Sequence, residues 1–162
     1  LDALILRKGF ALGARPSAAD FAIFGQLSQL AMVEPTPAAL TRKLSARVRA
    51  WVDRVEDLSG ASANDEDWFS LDEALLILKP LLTEIGRVYL PFLEGNAAAL
   101  QAGDGQVDCL IDGRRWHQPV FPYQGKCLAA LQSRFRELAP ESADQLAPVL
   151  RDCGCGVLRA EA

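Results

Sequence analysis

Long apolar runs are missing from this chain. No stretch reaches the roughly eighteen uninterrupted apolar residues of a membrane-spanning helix, so no transmembrane segment is expected. Cysteine is scarce: four in 162 residues are too few and too scattered for a disulfide framework in a chain of this length. They read as reduced cytosolic thiols, mostly buried, and the expected location is the cytoplasm. An excess of basic charge is lacking too. The formal net charge is −4, and the Lys and Arg residues are spread over helix faces without forming a stripe, which argues against nucleic acid as a partner. The opening residues, LDALILRKGF, place an acid early and basic residues late, the reverse of a signal peptide. The start at Leu1 suggests a fragment of a longer protein.

Half of the residues are hydrophobic and 23% are charged, a balance that supports a globule with a real core. The length suits one domain or a piece of a two-domain protein. Residues 1–12 read as the tail of a helix broken at Gly9. Ser17 is then a good N-cap, because its hydroxyl can accept from a free first-turn amide. Asp20, three residues on, can reach back to the Ser17 amide and close a capping box, with Pro16 and Phe21 at the positions of a hydrophobic staple. The helix that follows, about 18–32, is apolar nearly all round in its first half and is expected to be buried on most sides.

Pro35-Thr36-Pro37 ends that helix and starts the next. Leu40, Leu44, Val48, Trp51, Val55 and Leu58 predict a single amphipathic helix over 38–58, with Arg42, Lys43, Arg47, Arg49 and Arg54 on its other positions. That basic face is read as solvated rather than as a surface for an acidic partner. Phe21, Phe24, Leu27, Leu44, Val48, Trp51 and Val55 form the expected core.

A second capping box at Ser70 to Glu73 opens a helical stripe running to Tyr89, with kinks or short breaks expected at Pro80 and Pro91. A further helical piece covers 92–101. Asp112-Gly113 between two short apolar runs predicts a tight two-stranded hairpin near residues 106–120, lying against the helices. A helix from Pro122 to about Leu138 should carry Cys127, Leu131, Phe135 and Leu138 on one face. A last helix from Pro140 ends near Cys153 and Gly154. The fold class is mostly α, a helix bundle with one small hairpin.

The run Leu12-Gly13-Ala14-Arg15-Pro16-Ser17-Ala18-Ala19-Asp20-Phe21 closely resembles the segment that starts the central helix of glutathione S-transferase C-terminal domains. The family's Gly, Ser or Thr, and Asp fall here on Gly13, Ser17 and Asp20. Val48-Arg49-Ala50-Trp51-Val52-Asp53-Arg54-Val55 is similar to the helix that follows in the family. The resemblance covers residues 1–60, taken as the core helices of such a domain. Residues 61–162 are taken as a helical extension, with its hairpin, packing on them. The stretch from Trp68 to Leu158 resembles the C-terminal extension of a group of bacterial transferase-like proteins, a likeness carried by Ile111-Asp112-Gly113, Trp116, Gln118 and the run from Phe121 to Leu128.

The resemblance implies that glutathione is a co-substrate of the full-length protein and is held by a missing N-terminal thioredoxin-like domain. It implies no catalytic residue in this chain, which alone is expected to be inactive. Ser17 and Asp20 carry over in a structural role. The present part would contribute packing and part of an electrophile pocket; the alternative is a non-catalytic domain for dimerisation, as a homodimer, or for partner binding.

Other candidate sites each have a plainer reading. Trp116, Tyr123, Gln124 and Lys126 could line a pocket for an apolar ligand with a polar end, against the favoured reading of a hairpin packed on a helix with Trp116 as anchor. Cys127 with His117 could be a nucleophile and base, against the favoured buried structural cysteine. Cys153-Gly154-Cys155 has the wrong spacing for zinc, and no metal is expected.

Overall fold

The computed structural model describes residues 1–159 and consists of two compact units, Leu1–Leu78 and Lys79–Ala162, the division falling inside one helix. The elements are α1 (Asp2–Lys8), α2 (Ala18–Leu27), α3 (Pro35–Leu44), α4 (Ala46–Glu56), α5 (Leu71–Glu84), α6 (Leu90–Ala102), β1 (Gln106–Ile111), β2 (Arg114–Pro119), α7 (Pro122–Arg136) and α8 (Pro140–Asp152). π-helical turns follow α2 at Ser28–Val33 and α5 at Ile85–Tyr89.

In the first unit the central element is α4. It packs against α1, α2, α3 and the first π turn. Its Val48, Trp51, Val52 and Val55 are buried with Ile5, Phe10 and Ala31. Helix α2 forms where expected but is not enclosed. Ile23, Phe24 and Leu27 pack inward on that core, while Phe21 is 53% exposed and Leu30, Met32 and Val33 are also open. An all-round apolar helix needs cover on every side. Within this unit α2 is covered only on the side that meets α4.

The expected single helix over 38–58 is two helices. Ser45, with extended backbone, ends α3 and caps α4, its Oγ accepting from the Val48 amide at 3.1 Å. The same hydroxyl bonds the Asp2 carboxylate. The break resets the helical phase, so the apolar stripe does not continue across it. Leu40 and Leu44 point outward, Leu44 at 73% exposure, and Ala38 is the residue of α3 that is buried. Phe21 and Leu44 are therefore not core residues.

In the second unit α6 is central and buries Leu90, Leu93, Asn96 and Ala99. Cys153 and Cys155 complete the cluster around Leu90, Leu93 and Leu128. Pro80 lies within α5 without interrupting it. It is exposed, so water can serve the carbonyl its missing amide leaves unpaired. Before Pro91 the chain does change register, passing through the second π turn. Gly86 in that turn lies so close to the Cys153–Gly154 backbone that a Cβ would overlap the Cys153 carbonyl oxygen.

β1 and β2 pair antiparallel from Gln106↔Pro119 to Ile111↔Arg114. Asp112 and Gly113 both take positive φ, 51° and 73°, the backbone of a two-residue turn matched to strand twist. Val107 is the strand residue buried against α6, so it anchors the ribbon, and Trp116 is 47% exposed. On α7 the buried position is Leu128, with Leu131 exposed, and Leu138 lies beyond the helix end, also exposed; the packed face lies one residue on from the expected one. Cys127 and Phe135 are half-buried.

Candidate functional site

The most connected polar group of the first unit is the Asp20 carboxylate, fully buried in the first turn of α2. One oxygen accepts from the Ala11 amide at 2.8 Å. The other accepts from the Ser17 amide at 2.8 Å and from the Ser17 hydroxyl at 2.6 Å. Ser17 and Asp20 stand as a capping box, in which the Asp20 carboxylate accepts from both the amide and the hydroxyl of Ser17. The carboxylate does more than cap: it ties the chain before Gly13 to the start of α2, nine residues away in sequence. Gly13 is needed beside it, because the Asp67–Trp68 backbone passes close enough that a Cβ would overlap the Asp67 carbonyl oxygen. The Ala14 amide donates to that same oxygen at 2.7 Å. Arg15 lies 4.6 Å over the Trp68 ring and pairs with Asp65 at 3.1 Å.

A second set of groups gathers where α1 ends against α4. The Trp51 indole N–H donates to the Gly9 carbonyl at 3.0 Å. The Arg54 guanidinium stacks 4.5 Å from the centre of the Phe10 ring. Gly9, Trp51 and Arg54, with Ile5, Arg47 and Ala50, line a cleft of about 190 Å³. Sequence reading placed Trp51 in the core and the arginines in solvent. The cleft depends on α1 lying against α4, which no local pattern reveals.

At the hairpin exit, the four residues taken as ligand contacts have different surroundings. Trp116 donates from Nε1 to Gln118 at 3.0 Å. Gln124 accepts from the Tyr89 hydroxyl at 2.8 Å. Tyr123 is exposed and meets Phe121, ring centres 6.3 Å apart, and Lys126 is exposed. Burial pushes the Tyr89 hydroxyl above its ordinary pKa, with Cys127 adding to the rise. His117 stands opposite Asp108 in the strand register. The Arg115 side chain, hydrogen-bonded to Asp108, holds that carboxyl below its usual range. The joint here is Asn96, fully buried on α6: its Nδ2 donates to the Phe121 carbonyl at 3.0 Å and its Oδ1 accepts from the Phe121 amide at 2.7 Å. A lone Asn amid Leu93, Ala97, Ala98 and Ala99 was the available signal for it.

Residues 1–54 match the family model for the glutathione S-transferase C-terminal domain. This part of the chain is similar to glutathione S-transferase C-terminal domains. No curated protein and no solved structure was found to match the chain. The match spans α1 to most of α4 and includes the whole Asp20 network with Trp51 and Arg54.

The transferase-like segment holds no cysteine or tyrosine. Its Ser17, Asp20, Ser45 and Trp51 side chains are engaged in holding α2 and α4 in place. In the other unit Cys153 and Cys155 are buried, the Cys155 thiol lying 3.3 Å from the Leu82 carbonyl. Burial, with Cys153 beside it, raises the Cys155 pKa, and burial also raises that of Cys109, so neither is poised as a thiolate nucleophile. Among the described residues no group of three or more His, Cys, Asp or Glu side chains converges to hold a metal ion. No helix among them is long and apolar enough to cross a membrane.

Proposed function

We propose that this chain is the helical part of a cytoplasmic glutathione S-transferase-like protein and works only together with a thioredoxin-like domain that binds glutathione. In this reading the thioredoxin-like domain activates the glutathione thiolate, and the helical part supplies packing and part of the apolar pocket for the electrophile. The observation that carries it is the open apolar side of the family-matched segment: Phe21, Leu30, Met32, Val33, Leu40 and Leu44 are exposed along α2, the π turn and α3. Six large apolar side chains left open on consecutive elements mark a surface that is normally covered. Trp116, Tyr123, Gln124 and Lys126 are proposed as further contacts for an apolar ligand, on the strength of the exposed Trp116 and Tyr123 rings and of the Gln124 side chain held by the Tyr89 hydroxyl.

The second reading is a transferase-like domain without catalysis, used for homodimerisation or for holding a partner. The same open side supports it, since an apolar surface of this kind suits a second protein as well as a second domain.

Calorimetry of glutathione with this chain and with a longer form carrying the thioredoxin-like domain separates the two. Binding by the longer form alone, together with turnover of a standard electrophile, is the expected result. Absence of binding by the longer form overturns the catalytic reading in favour of the second. Turnover by this chain alone contradicts its proposed dependence on another domain.

A further inference from the structure

Of the arginines on α4, Arg47 pairs with Asp2 at 2.7 Å and Arg49 with Asp53 at 2.6 Å. Arg54 has no carboxylate partner among the described residues. It is nevertheless held in place, with its Cζ 4.5 Å over the centre of the Phe10 ring and its Nη1 against Gly9, where a Cβ would displace it. A guanidinium fixed by stacking keeps its N–H edge available for a planar oxyanion and has less freedom to lose on binding. Beside it the cleft has an apolar floor of Ile5, Ala50 and Trp51, and the Trp51 N–H is already satisfied by Gly9. Arg47 closes the far end, about 10.5 Å along the helix axis from Arg54 by the seven-residue spacing.

A preset cation at one end, an apolar floor and a volume of about 190 Å³ define a small amphipathic site. We propose that this cleft binds a carboxylate carried on a short apolar body, the carboxylate on the Arg54 guanidinium and the body over Ala50 and Ile5. The site lies wholly within the first unit and does not depend on the transferase reading.

The test uses benzoate as probe and benzyl alcohol as its uncharged counterpart, titrated into the 162-residue chain and followed by the three indole N–H signals in a proton–nitrogen correlation spectrum. Saturable movement of the Trp51 signal with benzoate, with Trp68 and Trp116 still and no saturation with benzyl alcohol, is the expected result. Arg54→Gln should weaken benzoate about tenfold or more, the scale of a lost charge-assisted pair. Ala50→Leu, at an exposed helical position that tolerates leucine, should block the floor with the fold intact. Arg136→Gln, on α7, should leave binding unchanged. Failure of the Trp51 signal to move, equal movement of all three indoles, or binding unaffected by both Arg54→Gln and Ala50→Leu overturns the proposal.

Discussion

Replacing Asp20 by alanine removes an acceptor that serves three donors at once. Two of them, the Ala11 and Ser17 amides, belong to the backbone and cannot be moved to other partners while α2 keeps its place. Leaving a buried amide unpaired costs about 1–3 kcal/mol, so the pair should cost about 4 kcal/mol. Ser17→Ala is different. It removes one hydroxyl donor and leaves both amides bonded to the carboxylate, so its cost should be that of an ordinary lost cap, about 1 kcal/mol. Asp20→Asn keeps one acceptor oxygen for Ala11 and turns an NH₂ toward the Ser17 donors, so it should fall between the two. Urea unfolding measures these differences, followed by Trp51 fluorescence in a background with Trp68 and Trp116 changed to Phe. With a slope of about 2 kcal/mol per molar urea, Asp20→Ala should lower the midpoint by about 2 M and Ser17→Ala by about 0.5 M. Equal midpoints for the two alanine variants would refute the argument that the carboxylate joins two chain segments and would reduce it to a simple cap.

Gly86→Ala should destabilise the second unit by several kcal/mol, because the new methyl overlaps backbone at Cys153 that cannot yield. Gly25→Ala, facing open space in α2, should stabilise its helix by up to about 1 kcal/mol; thermal melts of the two variants should move in opposite directions. Asn96→Leu should cost about 2–3 kcal/mol by leaving the Phe121 amide and carbonyl unpaired, and amide exchange at Phe121 should accelerate before exchange elsewhere in the unit. The Asp108 carboxyl is held below its ordinary value of 3.8 by Arg115, so what the pair contributes is complete above that value and is lost as pH falls through the lower folded value. Carbon-detected titration of Asp108 should show its midpoint rise toward 3.8 in Arg115→Gln; an unchanged midpoint would remove Arg115 as the cause.

Signals in the sequence are legible where the physics is local. The box at Ser17 and Asp20, the end of α1 at Gly9, the Asp112-Gly113 turn and the end of α8 before Gly154 all depend on residues within a few positions of each other. Burial is less legible, because it depends on what comes to lie opposite. The apolar girdle of α2 suggested a helix enclosed on every side, yet within its unit only the α4 side is covered. Ser45 sits as one polar residue inside an amphipathic run; its cap bond from the Val48 amide is local, but the Asp2 carboxylate that meets its hydroxyl comes from 43 residues away. The Arg54 cleft and the Asn96 clamp likewise join distant segments, so side-chain periodicity alone could not locate them.

Hydrogen exchange followed by mass spectrometry, on peptides covering residues 18–44, bears most directly on whether the open side of α2 and α3 is a domain interface. Compared with this chain alone, a longer form carrying the thioredoxin-like domain should slow exchange across Phe21 to Leu44 and leave α4 unchanged. Identical exchange in the two forms would mean that this surface meets no such domain.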